Sequence, residues 1–196
     1  AYRPPGCSTG RHLGSHVSLK QSGDCFQKEE KGSHRSLFLL FRIFVIMKNI
    51  LITGGAGYIG SHTAVELIHA GYGVVIADNL SNADTTCLEG VKKITGRDIP
   101  FYKADCCRKD QLLPIFREHR IDGVIHFAAF KAVGESVEKP LMYYHNNLLS
   151  LVTLLEVMVE NGGGHVVFSS SATVYGQPPV LPVTEDTPRM PATSPY

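Results

Sequence analysis

The sequence lacks the cysteine patterns that are typical of metal sites and disulfide frameworks. Of its five cysteines, no C-x-x-C or Cys/His pair has the spacing of a zinc site. Cys106 and Cys107 are adjacent in sequence and poorly placed to bridge each other. We therefore expect free thiols and no metal, and hence a cytoplasmic protein, because free thiols are typical of reducing compartments.

A strong charge of one sign is also missing. The formal net charge of +1 conceals two unlike parts. Residues 1–46 hold 7 Lys/Arg against 3 Asp/Glu, whereas residues 47–196 hold 12 against 15. The larger part gives no reason to expect nucleic acid or an anionic membrane as a partner.

The apolar stretch at 36–46, SLFLLFRIFVI, suggests a signal peptide or a membrane span, but several features oppose both. Arg42 interrupts it, and no small-residue cleavage site follows. It is also shorter than the ~20 residues that a span needs. Residues 1–35 show no sustained period and are expected to be disordered. We therefore expect Met47 to be the natural start and residues 1–46 to be a non-native leader.

A glycine-rich loop between a predicted strand and a predicted helix is the most informative motif present. Four of the seven residues in 54–60, GGAGYIG, are glycine. Such a loop brings backbone N–H groups close to a pyrophosphate, and the following helix offers its positive N-terminus to the same anion. A tight turn that uses glycine only for its geometry would explain one or two of these residues, not four.

An acidic residue follows at the distance expected for a dinucleotide-binding unit. Asp78 lies 18 residues beyond Gly60, at the end of a second apolar run. A carboxylate there accepts hydrogen bonds from a ribose diol and repels a 2′-phosphate. The sequence therefore predicts that the cofactor is NAD rather than NADP.

Apolar runs of strand length alternate with segments of helical period from Met47 onward. The predicted strands are 50–53, 74–78, 101–104, 122–127 and 166–170, and the predicted helices are 58–70, 83–95, 109–119 and 140–161. Pro114 is expected to interrupt the third helix near its start. In the fourth, Leu148, Leu151, Val152, Leu155 and Val159 recur at helical spacing. This succession predicts a doubly wound parallel α/β sheet of the Rossmann type over residues 47–196.

The end of the chain suggests a fragment. Residues 176–195 hold six prolines and almost no period, which is typical of a surface loop. A helix is expected to begin at Tyr196, where the chain stops, and no residues remain to form a substrate domain. We therefore expect an incomplete NAD-binding domain that is inactive by itself.

Several stretches resemble one protein family. They are Asp78-Asn79-Leu80, 124–136 (VIHFAAFKAVGES), 143–147 (YYHNN), 168–176 (FSSSATVYG) and Ser194-Pro195-Tyr196. Together they resemble the extended short-chain dehydrogenase/reductases, most closely the branch that epimerises UDP-hexoses at C4. The resemblance implies interconversion of UDP-glucose and UDP-galactose through a transient 4-keto sugar, with bound NAD, no metal and a homodimeric full-length protein.

The resemblance also implies roles for individual residues. Ser171 and Tyr196 match the catalytic Ser/Thr and Tyr, and the family lysine would stand four residues beyond Tyr196. The residues implied to bind cofactor are Gly54, Gly57, Tyr58, Ile59, Gly60, Asp78, Asn79, Asp105, Cys106, Phe127, Ala128, Ala129, Lys131 and Asn146. His126, at the end of a buried strand, is expected to be a packed, hydrogen-bonded residue rather than an acid or base.

Two alternatives to the epimerase remain open. One is another nucleotide-sugar short-chain enzyme, such as a dehydratase or a decarboxylase. The dehydratase branch typically carries an acidic pair near Ala172-Thr173, which this sequence lacks. The other is a non-catalytic module that binds NAD or a nucleotide sugar.

Overall fold

A computed structural model describes residues 48–196, so the expectations for residues 1–46 and for Met47 lie outside the described residues. Within this range strands and helices alternate along the chain. The strands are β1 Asn49–Thr53, β2 Gly73–Asp78, β3 Phe101–Lys103, β4 Gly123–His126 and β5 His165–Phe168. The helices are α1 Tyr58–His69, α2 Thr86–Thr95, α3 Lys109–Glu118, α4 Val133–Glu138 and α5 Pro140–Glu160. A 3-10 helix follows at Ala172–Tyr175.

All five strands are parallel, in the order β3-β2-β1-β4-β5. This order confirms the predicted doubly wound sheet. The chain moves outward from β1 to β3, then crosses back to place β4 on the other side of β1. The switch point of the sheet therefore lies between the carboxyl ends of β1 and β4, where such folds bind ligands.

Alternate residues of the central strands face two separate cores. Leu51 and Val75 pack on one side of the sheet with buried residues of α3 and α5. Ile52 and Ile76 pack on the other side with α1 and α2. Burial on both faces explains why these strands are continuous apolar runs rather than alternating ones.

The third helix differs from the prediction, because it continues through Pro114. A proline inside a helix costs ~3 kcal/mol, since it removes one backbone hydrogen bond and crowds the preceding turn. Leu112, Ile115 and Phe116 of the same helix are buried against the sheet. Each such side chain contributes ~1.5–3 kcal/mol on burial, which is enough to offset the proline.

Other differences concern where elements begin and which residues are buried. α2 begins at Thr86 rather than at residue 83, Gly73 belongs to β2 rather than to the turn, and α4 was not predicted. In α5 the buried side chains include Tyr143, Leu154 and Val157, whereas most of the apolar residues that indicated the helix are exposed. Within residues 48–196, no helix has the length and apolarity needed to cross a membrane.

Candidate functional site

A cleft of about 570 Å³ opens at the carboxyl ends of the strands. Every residue that the sequence assigns to the cofactor lines it. Gly54, Gly57, Tyr58, Ile59 and Gly60 come from the loop between β1 and α1 and from the start of α1. The remaining ones end or follow β2, follow β3 or β4, or lie on α5: Asp78, Asn79, Asp105, Cys106, Phe127, Ala128, Ala129, Lys131 and Asn146.

The glycine loop has the geometry of an anion cradle. Gly54 has a φ of 69°, in the left-handed region, and a Cβ there would lie 2.8 Å from the backbone nitrogen of Ala128. A Cβ on Gly60 would fall against the carbonyl oxygen of Gly54 and 2.7 Å from the Cα of Gly55. Glycine at 60 therefore lets the first turn of α1 approach the end of β1, and glycine at 54 lets the residues after β4 approach the same point.

The N-terminus of α1 is open toward the cleft. Gly57 is its N-cap, and among the described residues no side chain caps its first amides. Tyr58 and Ile59, which line the cleft at this end, are 81% and 47% exposed. Uncapped N–H groups at a helix N-terminus carry partial positive charge and are suited to a phosphate or pyrophosphate.

Asp78 ends β2 beside this loop, and its carboxylate is held in one orientation. One carboxylate oxygen accepts the Ala56 N–H at 3.1 Å, and the other accepts the Leu80 N–H at 2.8 Å. Each carboxylate oxygen has further acceptor capacity, which a ribose diol would fill. The role of Asp78 in cofactor binding stays a prediction, and the structure shows the carboxylate fixed beside the glycine loop.

Asp105, in the loop after β3, lines the same side of the cleft. Its Oδ1 accepts the Cys107 N–H at 2.9 Å, so this carboxylate is also fixed by a local turn. The Cys106 thiol beside it is buried, and burial raises its pKa to about 12. This cysteine is therefore a neutral packing residue of the cleft wall at ordinary pH.

The two predicted catalytic residues do not line the cleft. Ser171 follows β5 and caps the 3-10 helix, where its Oγ accepts the Thr173 N–H at 3.3 Å and the Thr173 hydroxyl at 3.0 Å. Tyr196 is partly buried and lies outside any helix or strand. The structure thus gathers the cofactor residues around one cleft, whereas Ser171 and Tyr196 are not among the residues that line it.

Several cleft residues were not assigned a role from the sequence. Glu135, Tyr143 and Ser150 line the cleft, as do Ser81, Asn82, Ala83, Ala104, Phe130 and Ala132. Glu135 and Tyr143 lie within stretches that resemble the family, so this resemblance could have indicated them as candidate site residues. Their position in the cleft wall depends on the packing of α4 and α5, which a local pattern does not reveal.

No group of three or more His, Cys, Asp or Glu side chains in residues 48–196 is arranged to hold a metal ion. The free thiols in this range are Cys87, Cys106 and Cys107.

His126 lies beneath the cleft as a buried, neutral residue. Its Nδ1 lies 2.7 Å from Oγ1 of Thr53 and its Nε2 lies 3.4 Å from Oγ of Ser150. Burial lowers its pKa to about 4. It therefore joins β1, β4 and α5 through hydrogen bonds, as expected from the sequence.

Comparison with known proteins identifies the family. Residues 51–196 match the family described as GDP-mannose 4,6 dehydratase. The chain belongs to this family of extended short-chain dehydrogenase/reductases.

Its relatives include UDP-glucose 4-epimerases. That of Bacillus subtilis is 56% identical over 75% of this chain and 43% of its own length. That of Drosophila melanogaster is 52% identical over 75% of this chain and 44% of its own length. A solved UDP-glucose 4-epimerase from Bifidobacterium longum, in complex with NAD+ and UDP, matches with a TM-score of 0.74 and 48% identity, over 76% of this chain and 44% of its own. The chain thus spans less than half the length of these relatives.

The buried His126 should make stability depend on pH. Unfolded, the ring titrates near 6.5, whereas in the fold its pKa is about 4. The unfolded state therefore binds a proton first, and stability should fall as pH drops from ~6.5 to ~4, by up to about 3 kcal/mol. Urea unfolding across this range measures the loss.

His126→Gln should flatten this pH dependence, because the substituted side chain does not titrate. His69→Gln, at the exposed end of α1, is the matched control and should leave the slope unchanged. An identical slope in wild type and His126→Gln would contradict the assignment of the buried, neutral ring.

Proposed function

We propose that the full-length protein interconverts UDP-glucose and UDP-galactose by NAD-dependent epimerisation at C4. One observation carries the proposal: the cofactor residues implied by resemblance line a single cleft at the switch point of the sheet. The identity of more than half of the aligned residues to UDP-glucose 4-epimerases supports this activity over that of a dehydratase or a decarboxylase.

The residues present fit NAD. The cradle at Gly54 and Gly60 leaves no room for a Cβ, so the backbone itself would face the pyrophosphate, with the amides of Tyr58 and Ile59. Asp78 and Asn79 would hold the adenosine ribose and Asp105 the adenine.

The other side of the cleft would hold the second half of the cofactor. Phe127, Ala128, Ala129, Lys131 and Asn146 lie beside β4 and on α5, across β1 from Asp78. Bound NAD would accept a hydride from C4 of the sugar and return it. Because the cofactor is regenerated in every cycle, it can stay bound.

Ser171 and Tyr196 would act on the sugar. Inversion at C4 requires temporary oxidation, because the C–H at that carbon is not acidic. Tyr196 would take the proton of the 4-hydroxyl group, and Ser171 would orient the same oxygen. The Ser171 oxygen already accepts two hydrogen bonds from Thr173, so its own proton remains available to donate to the sugar.

The proposal predicts that the full-length protein converts UDP-galactose to UDP-glucose without added metal. Tyr196→Phe should lower kcat by roughly 10²–10⁴-fold, the usual contribution of a general base, and Ser171→Ala should also lower it. Coupled detection of UDP-glucose measures the activity, with Tyr72→Phe, away from the cleft, as control. Inversion that persists after all NAD(H) has been stripped would contradict the mechanism, and binding without turnover would favour the non-catalytic module.

Asp78 is predicted to set the choice of cofactor. Asp78→Asn removes the charge that would repel the 2′-phosphate of NADP but preserves the side-chain volume. We expect NAD affinity to fall by about tenfold, the loss typical of a charge-assisted hydrogen bond. The difference between the affinities for NAD and NADP should therefore become smaller. Titration of both dinucleotides into the 196-residue chain measures this, with the exposed Asp98→Asn as control. Equal binding of NADP and NAD by the wild type would disprove the role of Asp78.

We further propose that the full-length protein is a homodimer. The supporting feature is a stripe of exposed apolar side chains along α5, namely Leu141, Leu148, Val152, Leu155 and Val159. A second copy of the helix would cover such a stripe by self-complementary packing. Leu148→Glu should shift sedimentation from dimer to monomer, whereas Val180→Glu, on an exposed loop, should not. A monomeric wild type would refute the homodimer.

A cytoplasmic location is part of the same proposal. The free thiols of Cys87, Cys106 and Cys107 support it, because they are typical of a reducing compartment. Recovery of the protein outside the cytoplasmic fraction of fractionated cells would contradict it.

A further inference from the structure

The loop between β4 and α4, residues 127–132, is held on both sides of Lys131 by side chains of α5. We propose that Asn147 and Tyr143 are positioning residues that fix Lys131 at the half of the cleft beside β4. The inference rests on the proposed function, since it concerns how this chain holds NAD. The inference gives Asn147 and Tyr143 a role in ligand binding, which their packing in the fold does not explain.

Asn147 forms two hydrogen bonds with one loop residue. Its Oδ1 accepts the Phe130 N–H at 2.9 Å, and its Nδ2 donates to the Phe130 carbonyl at 3.0 Å. The same Oδ1 accepts the side-chain amide of Asn146 at 2.9 Å. The side chain of Asn147 thus pairs with both backbone polar groups of Phe130, as a neighbouring strand would. It thereby fixes the residue just before Lys131.

Tyr143 fixes the residue just after Lys131. Its hydroxyl accepts the Ala132 N–H at 3.1 Å and donates to Glu135 Oε2 at 3.0 Å. The ring is 1% exposed and lies 5.7 Å from the ring of Phe130, centroid to centroid. Packing requires the ring, whereas the hydroxyl is required for the bonds to Ala132 in the loop and to Glu135 in α4.

These contacts matter because Lys131 is otherwise poorly constrained. The residue is exposed, lies outside helix and strand, and carries a long flexible side chain. Fixing the backbone at both neighbours lowers the conformational entropy that ligand binding must remove. The ammonium group can then meet an anionic or hydroxyl-rich ligand with less loss of freedom.

The strand order confines the expected effect to one half of the cleft. Asp78 ends β2 and Asp105 follows β3, on one side of β1, whereas Lys131 follows β4 on the other. A mononucleotide such as AMP would need only the first side, whereas NAD would need both. Loss of the Lys131 position should therefore weaken NAD and leave AMP unchanged.

The test is calorimetric titration of NAD and AMP into the 196-residue chain and its variants. Asn147→Ala and Tyr143→Phe should each weaken NAD roughly tenfold, as expected for loss of bonds that organise a binding group. AMP affinity should stay within about twofold. The controls are Asn161→Ala, whose side chain bonds only within α5, and the exposed Tyr144→Phe. Tyr143→Phe keeps the packed ring and serves if Asn147→Ala does not fold.

A double-mutant cycle separates positioning from structural support. Lys131→Met should weaken NAD by itself, and adding Asn147→Ala should then cost little more, because the residue acts through Lys131. A full additive loss, or an equal loss for AMP and NAD, would overturn the inference. The inference would also be overturned if the wild type bound both NAD and AMP and the variants bound NAD as tightly as the wild type does. A wild type that binds neither probe would instead contradict the proposed function.

Discussion

The cleft depends on how closely the first turn of α1 approaches the end of β1. At Gly60 the helix backbone lies against the backbone of Gly54 and Gly55, with no room for a Cβ. Gly54 in turn contacts the backbone of Phe127 and Ala128, which follow β4. The end of β1, the first turn of α1 and the distant residues after β4 therefore meet through close backbone contacts. A side chain at Gly60 would push α1 away from the end of β1, and one at Gly54 would clash with the backbone of Phe127 and Ala128.

A second constraint lies under the cleft, where polar groups are buried. Thr53, His126 and Ser150 bond in series and so join β1, β4 and α5. Within residues 48–196 no buried side-chain nitrogen or oxygen lacks a hydrogen-bond partner. Since an unpaired buried polar group costs ~1–3 kcal/mol, this network specifies one position for α5 relative to the sheet. Tyr143 and Asn147 lie on the same helix. The network therefore also fixes their position relative to the loop at 127–132, to which both residues bond.

The sequence predicted the helices and strands of this fold better than it predicted which of their faces are buried. Strands buried on both sides stand out as apolar runs, so their existence and parallel direction followed from the alternation with helices. α4 was missed because six residues are too few to show a helical period. Pro114 argued against a continuous α3, yet burial on the sheet outweighs its cost. In α5 both faces are apolar, so the period indicated a helix without indicating which side is buried.

The two halves of the cleft differ in how they are held, and this difference explains which residues the sequence could reveal. Beside β2 and β3, Asp78, Asn79 and Asp105 each accept the N–H of the residue two positions later. Such turns are local, and residue type and spacing predict them. Beside β4, the loop residues Phe130 and Ala132 bond instead to side chains 17 and 11 residues away in sequence.

Those longer-range partners exist only once α5 has packed, and no local pattern distinguishes an asparagine that bonds a distant loop from one that faces water. The glycine loop and Asp78 could therefore be found from residue type and spacing, whereas the remaining cofactor residues came from resemblance and the residues that hold the β4 side required the fold. A substitution in α5 can consequently alter one half of the cleft while the local turns of the other half persist.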